Sequence, residues 1–168
     1  GQCVSTVKEG DHVVLHWREG AGIKSPTPTY LWKGKKVNAG WVTTFNEFAV
    51  VSENRLTKIP LDFDLNLAPL FGCAITTAFG VIHNDANLKC GESIVIFGSG
   101  GVGTAIAQAA SLTCACPIIM VDINDFKLEQ SKYFGAMITI NSKKEDVASR
   151  VLNEIPGGAD VVIDTTGI

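Results

Sequence analysis

Residues 93–122 restrict this chain to very few folds. They run Ser93-Ile94-Val95-Ile96-Phe97, then Gly98-Ser99-Gly100-Gly101-Val102-Gly103, then an alanine-rich segment to Leu112, and then Pro117-Ile118-Ile119-Met120-Val121-Asp122. Short runs of Ile and Val without polar alternation suit strands of a parallel sheet that carries helices on both faces. The glycines then fall where a strand ends and a helix begins. Gly98 permits the tight turn, Gly100 lets a diphosphate approach bare backbone, and Gly103 lets the helix pack closely on the sheet. The helix start directs N–H groups and about half a positive charge at that diphosphate. Asp122 ends the second strand about 20 residues beyond the last glycine, placed to accept hydrogen bonds from a ribose. The expectation is a diphosphate against the amides between Phe97 and Thr104, with the Asp122 carboxylate on the sugar. A glycine-rich turn without a ligand is the plain alternative. The strand before, the helix after, the second strand and its terminal Asp all argue against it.

With 168 residues, 46% hydrophobic and 18% charged, the chain has material for one domain and part of another. Its net charge of −3 and the absence of any Lys/Arg run longer than two exclude nucleic acid as the main partner and favour a small molecule. No basic start leads into an apolar segment, and residues 105–121 are interrupted by Gln108 and Pro117, so no membrane span is expected. Five cysteines, an odd number, fit reduced thiols and a cytoplasmic location. The absence of an initiator Met and a last residue just past a strand lead us to expect an incomplete chain.

Taken in order, residues 1–60 carry β-rich runs at 4–7, 12–17, 41–51 and 55–59, with a Gly- and Pro-broken excursion at 18–40. They predict a small antiparallel barrel or meander. Asn66 is expected to cap a short turn through Leu70, Gly72-Cys73 to break it, and Ile75, Ala78, Phe79 and Ile82 to form the apolar face of a helix. Beyond the glycine loop the pattern predicts a helix at 126–134 ended by Gly135 and a strand at 137–140. A helix capped by Ser142 and Glu145 follows, with an apolar face of Val147, Val151, Leu152 and Ile155, and then a strand at 161–164. On spacing alone Cys73 reads as a buried apolar residue, as do Cys114 and Cys116 before the second strand. His12 and His16 share one face of a strand and read as packing or surface residues. His83, Cys3 and Cys90 carry no signal.

Several motifs come in a familiar order: Gly10-Asp11-His12-Val13, Thr43-Thr44-Phe45-Asn46-Glu47-Phe48-Ala49-Val50, Gly72-Cys73-Ala74-Ile75-Thr76-Thr77-Ala78, residues 98–103 with Asp122, and residues 160–167. In that order and at those intervals, over essentially the whole chain, the sequence resembles the medium-chain zinc-dependent alcohol dehydrogenases. The resemblance implies an α/β fold: part of a GroES-like β-barrel catalytic domain over 1–73, then a partial doubly wound parallel (Rossmann) NAD-binding domain over 74–168. It makes Cys73 a ligand of a catalytic zinc, which acts as a Lewis acid on an alcohol or carbonyl substrate. It places Thr77 and Val102 beside the nicotinamide, Asp122 and Lys127 on the adenosine ribose, and Gly98, Gly100, Gly101 and Gly103 along the diphosphate. Thr165 and Thr166 fall at positions lining the cofactor. Asp122 would repel a 2′-phosphate, so NAD is favoured over NADP.

The departures from the family pattern also carry expectations. The other catalytic zinc ligands would precede position 1, so the chain alone is expected to be inactive. The excursion at 18–40, where the family often carries four cysteines, has none, and no structural zinc is expected. The lobe is then remodelled or packed on Tyr30 and Trp32. The full-length protein is expected to be a homo-oligomer. Two other readings stay open: a zinc-free reductase of the quinone or enoyl type, and a nucleotide-binding module without catalysis. Cys73 separates the first from the zinc enzyme, and turnover separates the second.

Overall fold

Residues 1–38 and 40–167 are described by the computed structural model, and the chain divides into two compact units, Gly1–Cys73 and Ala74–Ile168. The first unit holds strands β1 (Val13–Leu15), β2 (Thr29–Trp32), β3 (Lys35–Asn38) and β4 (Leu56–Lys58). The second holds β5 (Ile94–Phe97), β6 (Ile118–Asp122), β7 (Ile138–Asn141) and β8 (Val161–Asp164), with helices α1 (Ala74–Gly80), α2 (Gly101–Leu112), α3 (Asp125–Lys132) and α4 (Val147–Glu154).

In the second unit the apolar runs form one parallel sheet of order β7-β6-β5-β8. Alternate residues of each strand serve opposite faces. Ile94, Ile96, Ile118 and Met120 pack against Ala105, Ile106, Ala109 and Ala110 of α2 and against Ala78 and Ile82. Val95, Ile119, Val121 and Ile140 face the other way, onto Val147 and Val151 of α4 and Ile155 just after it. With helices on both faces, no strand position of β5 or the body of β6 needs a polar residue. Each such Ile contributes roughly 1.5–3 kcal/mol on burial, so the sheet dominates the stability of this unit.

Two helix starts differ from the sequence expectation. After β7 the chain folds first into a turn in which Lys144 and Glu145 donate to the Asn141 carbonyl. That turn delays α4, whose cap is Asp146, accepting from Ser149 N at 2.8 Å, and not Ser142. Leu152 falls off the apolar face and is 52% exposed. Asn66 likewise caps nothing. Its own N–H donates to Asp64 Oδ1 at 2.8 Å, and Asp64 organises the turn that leads into the short 3₁₀ segment Ala68–Gly72.

The first unit consists of two separate antiparallel pairs, β1 with β4 and β2 with β3, where part of a barrel or a meander was expected. The runs at 4–7 and 41–51 form no strand. In the first, Ser5 and Thr6 donate their N–H groups to Glu53 Oε1, each at 2.7 Å, and not to a ladder. In the second, Phe45 and Phe48 stand 104% and 88% exposed, so nothing packs on the face that strand propensity requires. The excursion instead contains the β2–β3 hairpin. Its turn is Lys33-Gly34, both with positive φ, the mirror-image geometry that matches strand twist. The Tyr30 hydroxyl ties this hairpin to Val50, accepting from its N–H at 2.9 Å, whereas Trp32 is 63% exposed.

Val14 and Ala68 are the buried apolar residues of this unit among those described, so buried polar residues carry its interior. Arg55 bonds Glu19 at 3.1 Å and lies over the Trp41 ring at 4.9 Å. Glu53 gathers N–H groups from Ser5, Thr6 and Ile23 together with the Thr6 hydroxyl. These donors, led by the Ile23 N–H, pull its carboxyl down to about 2 from 4.5. A depressed carboxyl contributes stability that is present above the unfolded value and lost as pH falls through the folded one. The first unit should therefore lose stability between pH 4.5 and about 2. Glu53→Gln should lower the melting temperature at neutral pH and flatten that acid limb. A melting curve whose acid limb is unchanged in the variant would contradict the assignment.

Candidate functional site

β5 ends at Phe97 and α2 starts at Gly101, so residues 98–100 cross the carboxyl edge of the sheet. β6 and β8 flank β5 on opposite sides, and this is the point where strand order reverses and open α/β sheets form a crevice. Gly98 has φ +94°, a conformation few side chains tolerate, and a Cβ there would stand 2.6 Å from Thr165 Oγ1. A Cβ on Gly103 would stand 1.8 Å from the Gly98 carbonyl oxygen, so helix and loop meet backbone to backbone. Gly100 and Gly101 differ, since a Cβ on either would meet nothing within 4 Å and would project into open space.

The amides of the loop divide in two. Gly98 N donates to the Val121 carbonyl and Ser99 N to Asp122 Oδ2, each at 2.7 Å. The N–H groups of Gly100, Gly101, Val102 and Gly103 meet no acceptor among the described residues, and no side chain caps the helix. The bare amides expected between Phe97 and Thr104 are thus narrowed to 100–103. Asp122 turns toward this loop. Its Oδ1 also accepts from Asn124 N at 2.9 Å, which uses about half of a carboxylate's lone pairs and leaves the rest for a ligand.

The other candidates take distinct places. Lys127 is exposed near the start of α3, and its carbonyl accepts from the Ser99 hydroxyl at 3.0 Å. Val102 is exposed on the first turn of α2, and Thr77 is exposed on α1. Thr165 donates its hydroxyl to the Phe97 and Gly98 carbonyls at 2.8 and 3.1 Å, which pins the end of β8 to the loop. Thr166 folds back on Asp164 through its N–H and hydroxyl. Sequence reasoning gave no role to Ser99 or Asn124. A Ser inside the loop, and an Asn directly before a helix that caps α3 by accepting from Lys127 N, were the available signals.

In the first unit Cys73 is exposed and not buried, and it forms no disulfide. It lines a cleft of about 490 Å³ with His16, Trp17, Thr44 and Leu65. A Cβ on neighbouring Gly72 would stand 2.4 Å from the Leu15 carbonyl, so β1 fixes the backbone beside Cys73. His16 is satisfied by the protein, with Nδ1 2.7 Å from the Arg18 carbonyl and Nε2 3.0 Å from Thr57 Oγ1. Cys114 and Cys116 are also exposed, contrary to the packing expected of them, since only Ala115 between them turns inward. A second groove, of about 680 Å³, lies on the α4 face of the sheet along Val95, Val147, Leu152 and Val162, and none of the candidate residues lines it.

Residues 101–168 match the family model described as zinc-binding dehydrogenase. The S-(hydroxymethyl)glutathione dehydrogenase of Saccharomyces cerevisiae is 29% identical over 99% of this chain and 51% of its own length. That of Synechocystis is 38% identical over 74% of this chain and 34% of its own. The crystal structure of benzyl alcohol dehydrogenase from Acinetobacter calcoaceticus superposes with a TM-score of 0.81 at 27% identity, covering 98% of this chain and 51% of that one. The chain belongs to the zinc-binding, medium-chain alcohol dehydrogenase family. It spans about half or less of the length of these relatives. The family takes zinc and NAD in general, but a zinc-binding dehydrogenase of catalytic type needs three protein ligands. No group of three or more His, Cys, Asp or Glu able to hold a metal occurs among the described residues. Cys73 by itself therefore does not make a zinc site. No helix among the described residues is long and apolar enough to cross a membrane.

Proposed function

We propose that the second unit binds NAD and that the protein is an alcohol dehydrogenase, passing hydride between an alcohol and NAD with an aldehyde or ketone as product. The observation that carries this reading is the row of four unengaged N–H groups at 100–103 with the Asp122 carboxylate turned to the same loop. Bound NAD supplies the hydride acceptor. The amides of 100–103, with the partial positive charge of α2, hold its diphosphate. Gly100 and Gly101 leave room for that approach. Asp122, fixed by Ser99 and Asn124, accepts from the adenosine ribose hydroxyls, with Lys127 beside it. Val102, Thr77, Thr165 and Thr166 line the cofactor. Cys73 offers one thiolate to a catalytic zinc whose other ligands this chain does not supply, and its exposure on a cleft favours that role over packing. Residues 1–73 then belong to the catalytic domain and 74–168 to the NAD-binding domain. We place the protein in the cytoplasm as a homo-oligomer, on its odd cysteine count and its family.

The test is NADH titration, zinc analysis and turnover on the full-length protein with a panel of alcohols. Binding of NADH with no zinc and no turnover would leave only a nucleotide-binding module. Zinc-free turnover on quinones would move it to the reductases. Asp122→Ser should erode the preference for NAD over NADP by about tenfold or more, since a 2′-phosphate beside a carboxylate suffers like-charge repulsion worth at least 1.4 kcal/mol, a factor of ten. An unchanged ratio of NAD to NADP affinities would count against Asp122 as the ribose ligand.

A further inference from the structure

Asn141 ends β7 directly opposite Asp122 in the parallel register, and it is a buried polar residue, 7% exposed. Its Nδ2 donates to Asp125 Oδ1 at 2.7 Å and to the Ile123 carbonyl at 3.4 Å, while its Oδ1 accepts from Lys143 N at 3.0 Å. Both amide hydrogens and the oxygen are thus engaged. A flipped amide would turn its oxygen onto the Asp125 carboxylate, so one orientation is enforced. The backbone on the same side adds Ser142 N, which donates to the Asp122 carbonyl at 3.1 Å, and Lys144 pairs with Asp125 Oδ2 at 2.7 Å. From the opposite side, Ser99 N and Asn124 N hold the Asp122 carboxylate itself. The turn at 122–125 is gripped between the glycine loop and the end of β7.

We infer that Asn141 is a positioning residue for cofactor binding: it fixes the turn at 122–125 so that the Asp122 carboxylate meets the adenosine ribose. The inference rests on the reading of the second unit as an NAD site. Each side-chain bond of Asn141 goes to this turn or to its own, so its removal slackens the turn and leaves the packed strands in place. Because Asn141 acts through Asp122, its effect must depend on Asp122 being present.

The test is a double-mutant cycle on full-length protein, with NADH affinity as the readout. Asn141→Ala should weaken NADH binding about tenfold, the order expected when a hydrogen-bonded charge loses its fixed position. The KM for NAD should rise in step with that loss, while the KM for the alcohol stays at its wild-type value. In an Asp122→Ala background the same substitution should change NADH affinity by less than about twofold. Asp125→Ala, an exposed substitution that removes the acceptor at the other end of the bond, should behave in the same way and serves if Asn141→Ala folds poorly. Equal penalties in the two backgrounds, or unaltered NADH affinity in both Asn141→Ala and Asp125→Ala, would overturn the inference. If wild type fails to bind NADH, or Asp122→Ala binds it normally, the NAD reading itself fails and takes the inference with it.

Discussion

Gly103→Ala should destabilise the second unit by about 3 kcal/mol or more, at the upper end of what overpacking costs. The added Cβ would stand 1.8 Å from the Gly98 carbonyl oxygen and 3.1 Å from Thr165 Oγ1. Neither neighbour can yield cheaply. The first is backbone whose own residue sits at φ +94°, and the second is held by two carbonyls. The start of α2 must move by about an ångström or more, and the alanine packing behind it is lost. Urea unfolding followed by circular dichroism would show the loss, and a wild-type midpoint would refute it. Gly101→Ala provides the contrast. Its Cβ meets nothing within 4 Å, and Ala is the better helix former by about 1 kcal/mol, so stability should hold or rise. NADH affinity should nonetheless fall, because the methyl group occupies the approach left to the diphosphate. Loss of stability and loss of binding are thereby separated at two glycines two residues apart.

Cys73→Ala in the full-length protein should remove the catalytic zinc and lower kcat/KM by more than about a hundredfold. Removing an outer group that merely supports a ligand costs metal sites about 10–100-fold, so removing a ligand costs more. The informative pair of measurements is zinc content and NADH affinity on the same sample. Zinc should disappear while NADH affinity stays near that of wild type, because the loop and Asp122 belong to the other unit. Zinc retained at one ion per chain would show that Cys73 is no ligand. A parallel collapse of NADH binding would point to misfolding.

The sheet was legible in the sequence because its signal is local and repeated. Ile94 to Phe97 is apolar throughout and Ile118 to Asp122 at every position but the last, and only burial on both faces permits that. The glycine loop was legible for the same reason, since each glycine has a steric cause that its neighbours dictate. What could not be read depends on distant partners. The run at 4–7 has the composition of a strand, yet a carboxylate 47 or 48 residues away takes its N–H groups. The helix start at Asp146 was missed because the turn after Asn141 used up the segment in which Ser142 would have capped. Cys73 shows the limit most clearly. Its residue type argued for burial, yet it stands exposed on a cleft whose walls include His16 and Trp17, from more than 50 residues earlier in the chain. The motifs, taken in order, nevertheless pointed to the family that the comparisons bear out.

Thr165 joins the tips of two neighbouring strands through one hydroxyl shared between two carbonyls. That rivet means the mouth of the crevice has its shape before any guest arrives. Little disorder remains there to be frozen out, and more of each contact is kept as affinity. The same stiffness makes the cleft an unforgiving host, since a molecule of the wrong outline finds walls that do not accommodate it.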